Sequence, residues 1–177
     1  MTRVSRAFAL GGGVLLGAAG LLLGATEPRR QGGDIGLRVG NRPPAFSSTD
    51  LKGQRHTLEQ YHGSVVVLQF WASWCPVCRE EIPKLKQLAT QWQAKGVRVL
   101  TVSADDDPAA LTRFLAKQPL PYPVILDSAT RPSALAAYQV TGIPDTYILG
   151  LDGRISDHVV GGGSDLLSAV AEALRAR

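Results

Sequence analysis

Two cysteines separated by two residues are the part of this sequence best suited to chemistry. Cys75 and Cys78 are the only cysteines among 177 residues, and they enclose Pro76 and Val77. A cysteine at the N-terminus of a helix is a good nucleophile, because unpaired N–H groups and the positive end of the helix dipole stabilise its thiolate. Cys78, one turn further along, could then attack a mixed disulfide formed on Cys75. The spacing predicts an exposed nucleophile and a shielded resolving thiol.

Two other interpretations of the cysteine pair remain open at this stage. A structural zinc site needs two further ligands, but there is no other cysteine, and His56, His62 and His158 show no ligand-like spacing. An inert structural disulfide would also fit the spacing. Redox exchange is the interpretation that we favour, and the sequence predicts no metal site and no cofactor.

The elements around the cysteines indicate how they would be positioned. The continuous apolar run at residues 65–71 is typical of a strand that is buried on both faces. A helix should follow, with Pro76 at its first position, apolar residues at three- and four-residue spacing up to Trp92, and a stop at Gly96. Pro83 lies inside this helix and should kink it.

The rest of the folded part alternates strands with helices. A short N-terminal hairpin is expected around the turn at residues 50–53. Further strands are predicted at 97–102, 124–126, 146–149 and 154–159, and further helices at 108–117, 133–138 and 164–173. This order predicts one α/β domain, with a sheet that mixes parallel and antiparallel strands and helices on both faces.

The N-terminal region differs from the rest in composition. Residues 7–26 carry no charge and would rise about 30 Å as a helix, which matches the hydrocarbon core of a bilayer. Arg3 and Arg6 precede this run, so the N-terminus should stay in the cytoplasm while the remainder is exported. A cleaved signal peptide is the alternative. The predicted division is an anchor or signal segment at 1–26, a linker at 27–40 and a folded domain at 41–177.

The distribution of charge argues against nucleic-acid binding. The chain has a net charge of +4, but residues 41–177 carry 14 basic and 13 acidic side chains. A nearly neutral domain lacks the basic face that nucleic acids require.

The apolar N-terminal run sets the expected location. The protein should be anchored in the membrane, with its domain in the periplasm or another extracytoplasmic space, where a pair of thiols meets oxidants.

Residues 70–83, with the sequence FWASWCPVCREEIP, resemble the active-site segment of the thioredoxin superfamily. Within it, the sequence is most similar to the membrane-tethered TlpA/ResA/CcmG group of thiol–disulfide oxidoreductases. The resemblance covers about residues 40–175 and includes the segment at 141–146. It implies a thioredoxin-like mixed sheet flanked by helices, with an N-terminal β-hairpin and a central βα insertion at about 122–140.

The resemblance also implies roles for residues near the cysteines. Pro144 should be cis and pack beside the two sulfurs, which leaves the backbone of Ile143 to pair with an extended substrate segment. Glu81 would help to move the proton of the resolving thiol, although an acid in the first turns of a helix could simply complement its dipole. The residues expected to contact the substrate are Trp74, Pro76, Val77, Ile143 and Asp145.

Further polar side chains occur at Gln69, at Asp145 and in the acidic run at residues 105–107. Gln69 lies where cytoplasmic thioredoxins carry an aspartate, and an amide cannot exchange a proton, so more of that task falls on Glu81 or on water. Asp145 is acidic where many relatives carry threonine; it could select clients by charge or be a hydrated loop charge. The acidic run at residues 105–107 is interpreted as a helix cap rather than a metal cluster.

These observations predict a reductase of protein disulfides. The resemblance suggests clients in cytochrome c maturation (apocytochrome c) or in copper-site assembly, and a membrane thiol donor of the CcdA/DsbD type. One alternative is a thiol peroxidase. Peroxiredoxins, however, require a threonine three residues before the reactive cysteine, and the residue three before Cys75 is Ala72. The other is a copper-binding chaperone, which the lack of nearby methionine or histidine disfavours.

Overall fold

The computed structural model describes residues 35–130, 132–163 and 165–176. The two strands of the N-terminal hairpin are β1 (Ser47–Thr49) and β2 (Arg55–Thr57). The strands of the main sheet are β3 (Val65–Trp71), β4 (Val97–Ser103), β5 (Val124–Leu126), β6 (Asp145–Leu149) and β7 (Ile155–Val160). The helices are α1 (Pro76–Gln91), α2 (Pro108–Lys117), α3 (Ala134–Ala137) and α4 (Leu166–Arg175).

The five-stranded sheet has the order β5-β4-β3-β6-β7. Strand β3 is parallel to β4 and antiparallel to β6, while β5 extends the parallel side and β7 the antiparallel side. The mixed sheet, the hairpin and the added elements β5 and α3 agree with the predicted thioredoxin-like fold. In this register Phe70 lies opposite Asp145, so the end of β3 meets the beginning of β6.

All seven residues of β3 are buried, and alternate residues point to opposite faces of the sheet. The β3 residues in the core beneath α1, α2 and α4 are Val65, Val67 and Trp71. Those in the second core, which the hairpin and α3 cover, are Val66, Leu68 and Phe70. Gln69 shares the parity of the first set, and this polar side chain therefore points towards α1.

Most predicted boundaries are confirmed to within two residues, and the differences at α1 and α4 have local causes. Helix α1 ends at Gln91, and a short 3-10 turn follows; Gly96, with a φ of 89°, ends that turn and not the α-helix. Helix α4 begins later than predicted, because the side chain of Asp165 caps it by accepting the N–H of Ser168.

The segment before the domain is described only in part. The last residues of the predicted linker are attached to the sheet, since Gly40 N–H donates to the carbonyl of Ile155 at 2.8 Å. The predicted span at residues 7–26 lies outside the described residues. Within the described ranges, no helix is both long and apolar enough to cross a membrane.

The hairpin contains a hydrogen-bond network that the sequence did not predict. Oδ1 of Asp50 accepts the backbone N–H groups of Lys52 and Gln54, at 2.9 and 2.8 Å. Its Oδ2 lies 3.1 Å from Nε2 of His56, whose Nδ1 lies 2.6 Å from the hydroxyl of Tyr61. Burial raises the pKa of Asp50. The hydrogen bonds from Gln54, His56 and Lys52 together outweigh burial and leave this pKa below its ordinary value.

We expect Asp50→Asn to lower the free energy of unfolding by about 1–3 kcal/mol. An amide has one acceptor oxygen, whereas the carboxylate of Asp50 uses both of its oxygens, one towards the backbone N–H groups and one towards His56. The pKa of Asp50 is lower in the folded protein than in the unfolded chain. Its contribution to stability is therefore present above the ordinary carboxyl pKa and is lost as the pH falls through the folded value. Urea unfolding between pH 7 and pH 3 measures both effects.

Asp152→Asn is the matched control, because Asp152 accepts the N–H of Arg154 in an exposed turn. It should cost less than Asp50→Asn and leave the pH dependence unchanged. Equal losses in the two variants would contradict the role given to the buried network.

Candidate active site

Cys75 and Cys78 form a disulfide at the N-terminus of α1, with their Cα atoms 5.3 Å apart. Cys75 is the N-cap residue, and the backbone N–H of Cys78 donates to its Sγ at 3.2 Å. Pro76 occupies the first turn, as predicted. After reduction, a negative charge on Cys75 would meet both this donor and the positive end of the helix dipole, which favour the thiolate.

The sulfur of Cys75 is less accessible than the sequence predicted. In the disulfide form only 5% of Cys75 is exposed, and Cys78 is fully buried. The expected shielding of Cys78 is confirmed, whereas the expected exposure of Cys75 is wrong for the oxidised state. The neighbouring apolar side chains are accessible instead: Trp74 is 62% exposed and Val77 43%. Trp71, by contrast, is a core residue and is 2% exposed.

The segment before β6 lies next to the disulfide. The peptide bond between Ile143 and Pro144 is cis, as the resemblance implied. The carbonyl oxygen of Ile143 lies 3.8 Å from Sγ of Cys75, and the carbonyl of Pro144 accepts the N–H of Gly161 at 2.7 Å. The cis-proline segment is thus held between the sulfur on one side and the end of β7 on the other.

A glycine-rich loop after β7 completes the surroundings of the disulfide. A Cβ atom at Gly162 would collide with Cγ1 of Val77, and Gly161 and Gly163 have φ angles of 84° and 93°. Glycine leaves room for Val77 at position 162, and the positive φ angles favour glycine at positions 161 and 163. The sequence shows the run of glycines, but its contact with Val77 depends on the pairing of β6 with β7.

Glu81 is a buried acid on the face of α1 that points to β3. Only 3% of it is exposed, and Nε2 of Gln69 donates to its Oε2 at 2.8 Å and to Oγ1 of Thr146 at 3.2 Å. Burial raises the pKa of Glu81. The nearby Lys84 and the hydrogen bonds from Gln69 and the Gly163 N–H lower this pKa by less. The amide that departs from the thioredoxin pattern therefore holds the carboxyl group of Glu81.

Solvent reaches the neighbourhood of Glu81 through an open cleft of about 400 Å³. Its lining consists of Val77, Glu80, Glu81, Lys84, Gly162 and Gly163. The cleft therefore adjoins both the motif residue Val77 and the buried carboxyl group. A proton could pass between Glu81 and water by this route without exposure of the disulfide.

Asp145 is not a hydrated loop charge. It is the first residue of β6 and is 4% exposed, and its Oδ1 lies 2.7 Å from Nε2 of His158 on β7. The His158 ring stacks on Tyr147 with a centroid separation of 3.9 Å. Burial raises the pKa of Asp145, although the interaction with His158 opposes this. Sequence analysis missed the pairing of Asp145 with His158. It could have been found from the register of the β6–β7 hairpin, which places His158 opposite Tyr147.

The acidic run before α2 divides into two roles. Asp107 caps α2 by accepting the N–H of Ala109 at 2.8 Å, as predicted. Asp105 is buried instead, and its carboxylate accepts hydrogen bonds from Ser73 and Ser103. Across the described part of the chain, no group of three or more His, Cys, Asp or Glu residues could hold a metal ion.

Comparison with known proteins agrees with this geometry. The sequence pattern of the AhpC/TSA family matches residues 39–158. The thiol-disulfide oxidoreductase ResA of Bacillus cereus is 30% identical over 125 residues, which are 71% of each chain. The thioredoxin-like protein YneN of Bacillus subtilis is 32% identical over 150 residues, 84% of this chain and 85% of that protein.

Solved structures are similar over the same region. A protein from Chlorobium tepidum, described as a thiol:disulfide interchange protein DsbE, superposes with a TM-score of 0.72 at 30% identity. The match covers 78% of this chain and 99% of that one. The disulfide at the start of α1, the fold and these relatives together identify a thiol–disulfide oxidoreductase of the ResA/DsbE/CcmG type, and the chain belongs to the AhpC/TSA family.

Proposed function

We propose that this protein is a membrane-anchored, extracytoplasmic reductase of protein disulfides. The observation that carries the proposal is the position of Cys75, whose Sγ accepts the Cys78 N–H at the start of α1 and lies beside the cis-proline segment. The uncharged run at residues 7–26, preceded by two arginines, supports the anchor and the export of the domain.

The reaction follows from the chemistry of thiolates. In the reduced protein, the thiolate of Cys75 attacks one sulfur of a client disulfide, and the other client sulfur leaves as a thiolate. The thiolate of Cys78 then attacks the Cys75 sulfur, which releases the second client thiol and forms the Cys75–Cys78 disulfide. Two electrons pass to the client, and a thiol donor must reduce the pair before the next cycle.

Glu81 is suited to accept the proton of Cys78 before the second step. It lies one turn beyond Cys78 on α1, which places the two residues on nearly the same helical face. Because burial raises its pKa, this carboxyl group exchanges protons closer to neutral pH than an exposed glutamate does. Gln69 fixes its orientation, and the adjoining cleft lets the proton leave to water.

The proposed clients are extracytoplasmic proteins with accessible disulfides, either apocytochrome c or a copper-site assembly factor. The exposed side chains of Trp74 and Val77 beside the disulfide favour an apolar client segment. The backbone of Ile143 would pair with that segment, and a membrane thiol donor of the CcdA/DsbD type would supply the electrons. The similarity to relatives named ResA and DsbE supports this assignment.

In the reduced protein, we expect iodoacetamide to alkylate Cys75 at least about tenfold faster than Cys78 at neutral pH, because Cys75 is the N-cap residue whose Sγ accepts the Cys78 N–H and is the less buried of the two cysteines. Mass spectrometry of timed samples measures both rates. The variant Cys75→Ala serves as the control and should leave a single, slowly alkylated thiol. Equal rates for the two cysteines would contradict the assignment of Cys75 as the nucleophile.

We expect Glu81→Gln to slow the resolution of a mixed disulfide on Cys75 by about 10²-fold, because the amide cannot accept a proton. In the native protein the resolution rate should rise as Glu81 loses its proton, at a pH above the ordinary glutamate range, and the variant should lack this rise. Stopped-flow measurements of mixed-disulfide decay between pH 5 and pH 8 provide the test. Glu80→Gln, on the exposed side of α1, should leave the profile unchanged.

The same substitution should raise stability. The pKa of Glu81 is higher in the folded protein than in the unfolded chain, so ionisation costs folding free energy as the pH rises through the unfolded value towards the folded one. Glu81→Gln should therefore melt at a higher temperature than the native protein at pH 8 but not at pH 3. A stable variant with unchanged kinetics would leave Glu81 without a part in proton transfer.

We expect Cys78→Ala to trap clients in the native membrane, because a mixed disulfide on Cys75 can no longer be resolved. Affinity purification without reductant, followed by mass spectrometry, should identify apocytochrome c or a copper-assembly factor. The double variant Cys75→Ala/Cys78→Ala controls for non-covalent capture. Recovery of general secreted proteins alone would overturn the client assignment while leaving the exchange chemistry intact.

A further inference from the structure

Asp105 joins the loop after β4 to the loop that leads to Cys75. Its Oδ2 accepts the backbone N–H of Ser73 at 2.8 Å, and its Oδ1 accepts the hydroxyl of the same serine at 2.6 Å. The hydroxyl of Ser103 donates to Oδ2 at 2.6 Å and accepts the N–H of Asp105 at 3.0 Å. All four hydrogen bonds are buried, so they do not compete with water.

Ser73 is a central residue of the turn from which the nucleophile emerges. The backbone N–H of Cys75 donates to the carbonyl of Ala72 at 3.2 Å, which closes a turn with Ser73 and Trp74 in its middle. The N–H of Ala104 donates to the carbonyl of Trp71 at 2.8 Å and fixes the start of the turn to the same neighbouring loop. Trp74 points into solvent, so the carboxylate of Asp105 is what holds the middle of the turn.

We propose that Asp105 is a positioning residue for thiol–disulfide exchange. By binding both polar groups of Ser73, its carboxylate sets the turn that places Sγ of Cys75 under the N–H of Cys78 and beside the carbonyl of Ile143. The proposal depends only on exchange at Cys75 and not on the identity of the client. It assigns to the loop after β4 a part in the reaction.

Geometry explains why such a contact affects the rate. Attack on a disulfide requires the three sulfurs to approach a line, and small displacements of a reacting group cost large factors in rate. The N–H of Cys78 stabilises the Cys75 thiolate only while the turn keeps Sγ within hydrogen-bond distance. An asparagine at position 105 would replace the charge-assisted hydrogen bonds of the carboxylate with neutral ones, which are about half as strong, and this would loosen the turn.

The experiment measures the pH dependence of Cys75 alkylation in the reduced full-length protein, together with the rate of exchange with a small disulfide such as oxidised glutathione. We expect Asp105→Asn and Ser73→Ala to move the midpoint of the alkylation profile to higher pH, because a loosened turn weakens the hydrogen bond from Cys78 N–H. Both variants should also slow the exchange by about 10- to 100-fold.

The direction of the shift separates the possible explanations. If Asp105 acted only through its charge, its neutralisation would favour the thiolate and move the midpoint of Asp105→Asn to lower pH. If Asp105 only stabilised the fold, neither variant would move the midpoint. Either result would overturn the proposal. Ser73→Ala changes no charge and keeps the test decisive even if Asp105→Asn fails to fold.

Two further variants serve as controls. Ser103→Ala removes one hydrogen bond to the same buried carboxylate and the acceptor of the Asp105 N–H, but it leaves both contacts with Ser73. It should therefore lower the melting temperature and keep the alkylation profile. Asp106→Asn makes the same change of charge at the next, exposed position and should alter neither. A shift of the profile in Ser103→Ala equal to that in Ser73→Ala would contradict the proposal, because Ser103→Ala leaves both contacts between Asp105 and Ser73 in place.

Discussion

The hydrogen bond from the backbone N–H of Cys78 to Sγ of Cys75 is the interaction on which the rest of the site depends. It makes the first turn of α1 a preformed site for the negative charge that reduction creates on sulfur. Several elements serve to keep the sulfur there. Strand β3 brings the chain to this point through the core, Pro76 starts the helix, and the cis-proline segment lies against the other side of the sulfur.

The alternation of side chains along β3 decides which groups can take part. Residues of one parity face α1, and Gln69 is the polar member of that set, so its amide meets Glu81 and Thr146. Residues of the other parity face the aromatic core that contains Tyr147, and Asp145 belongs to that side through its pairing with Phe70. Glu81, which follows Cys78, and Asp145, which follows Pro144, therefore lie on opposite faces of one sheet and have different partners.

Local sequence patterns predicted the strands, helix starts and helix caps that depend on neighbouring residues. The buried strand before Cys75, the helix that starts at Pro76 and the cap at Asp107 all follow from residues within one turn of each other. The resemblance to a known family added the cis bond at Pro144. The bond from Ser73 to Asp105 escaped prediction because it joins residues 32 positions apart. Such contacts follow from how parallel strands are aligned, which composition and periodicity do not encode.

The buried acids around the disulfide share a physical problem, because ionised carboxylates would repel the Cys75 thiolate. Burial raises the pKa of Glu81 and of Asp145, and so opposes the ionisation of both acids. Asp105 is surrounded by serine and backbone donors, which spread its charge over several hydrogen bonds. Of the three, only Glu81 adjoins the open cleft. The acid that can exchange a proton with water is thus the one on the helix that Cys75 caps and that contains Cys78, whereas Asp105 holds the turn before Cys75 and Asp145 pairs with His158.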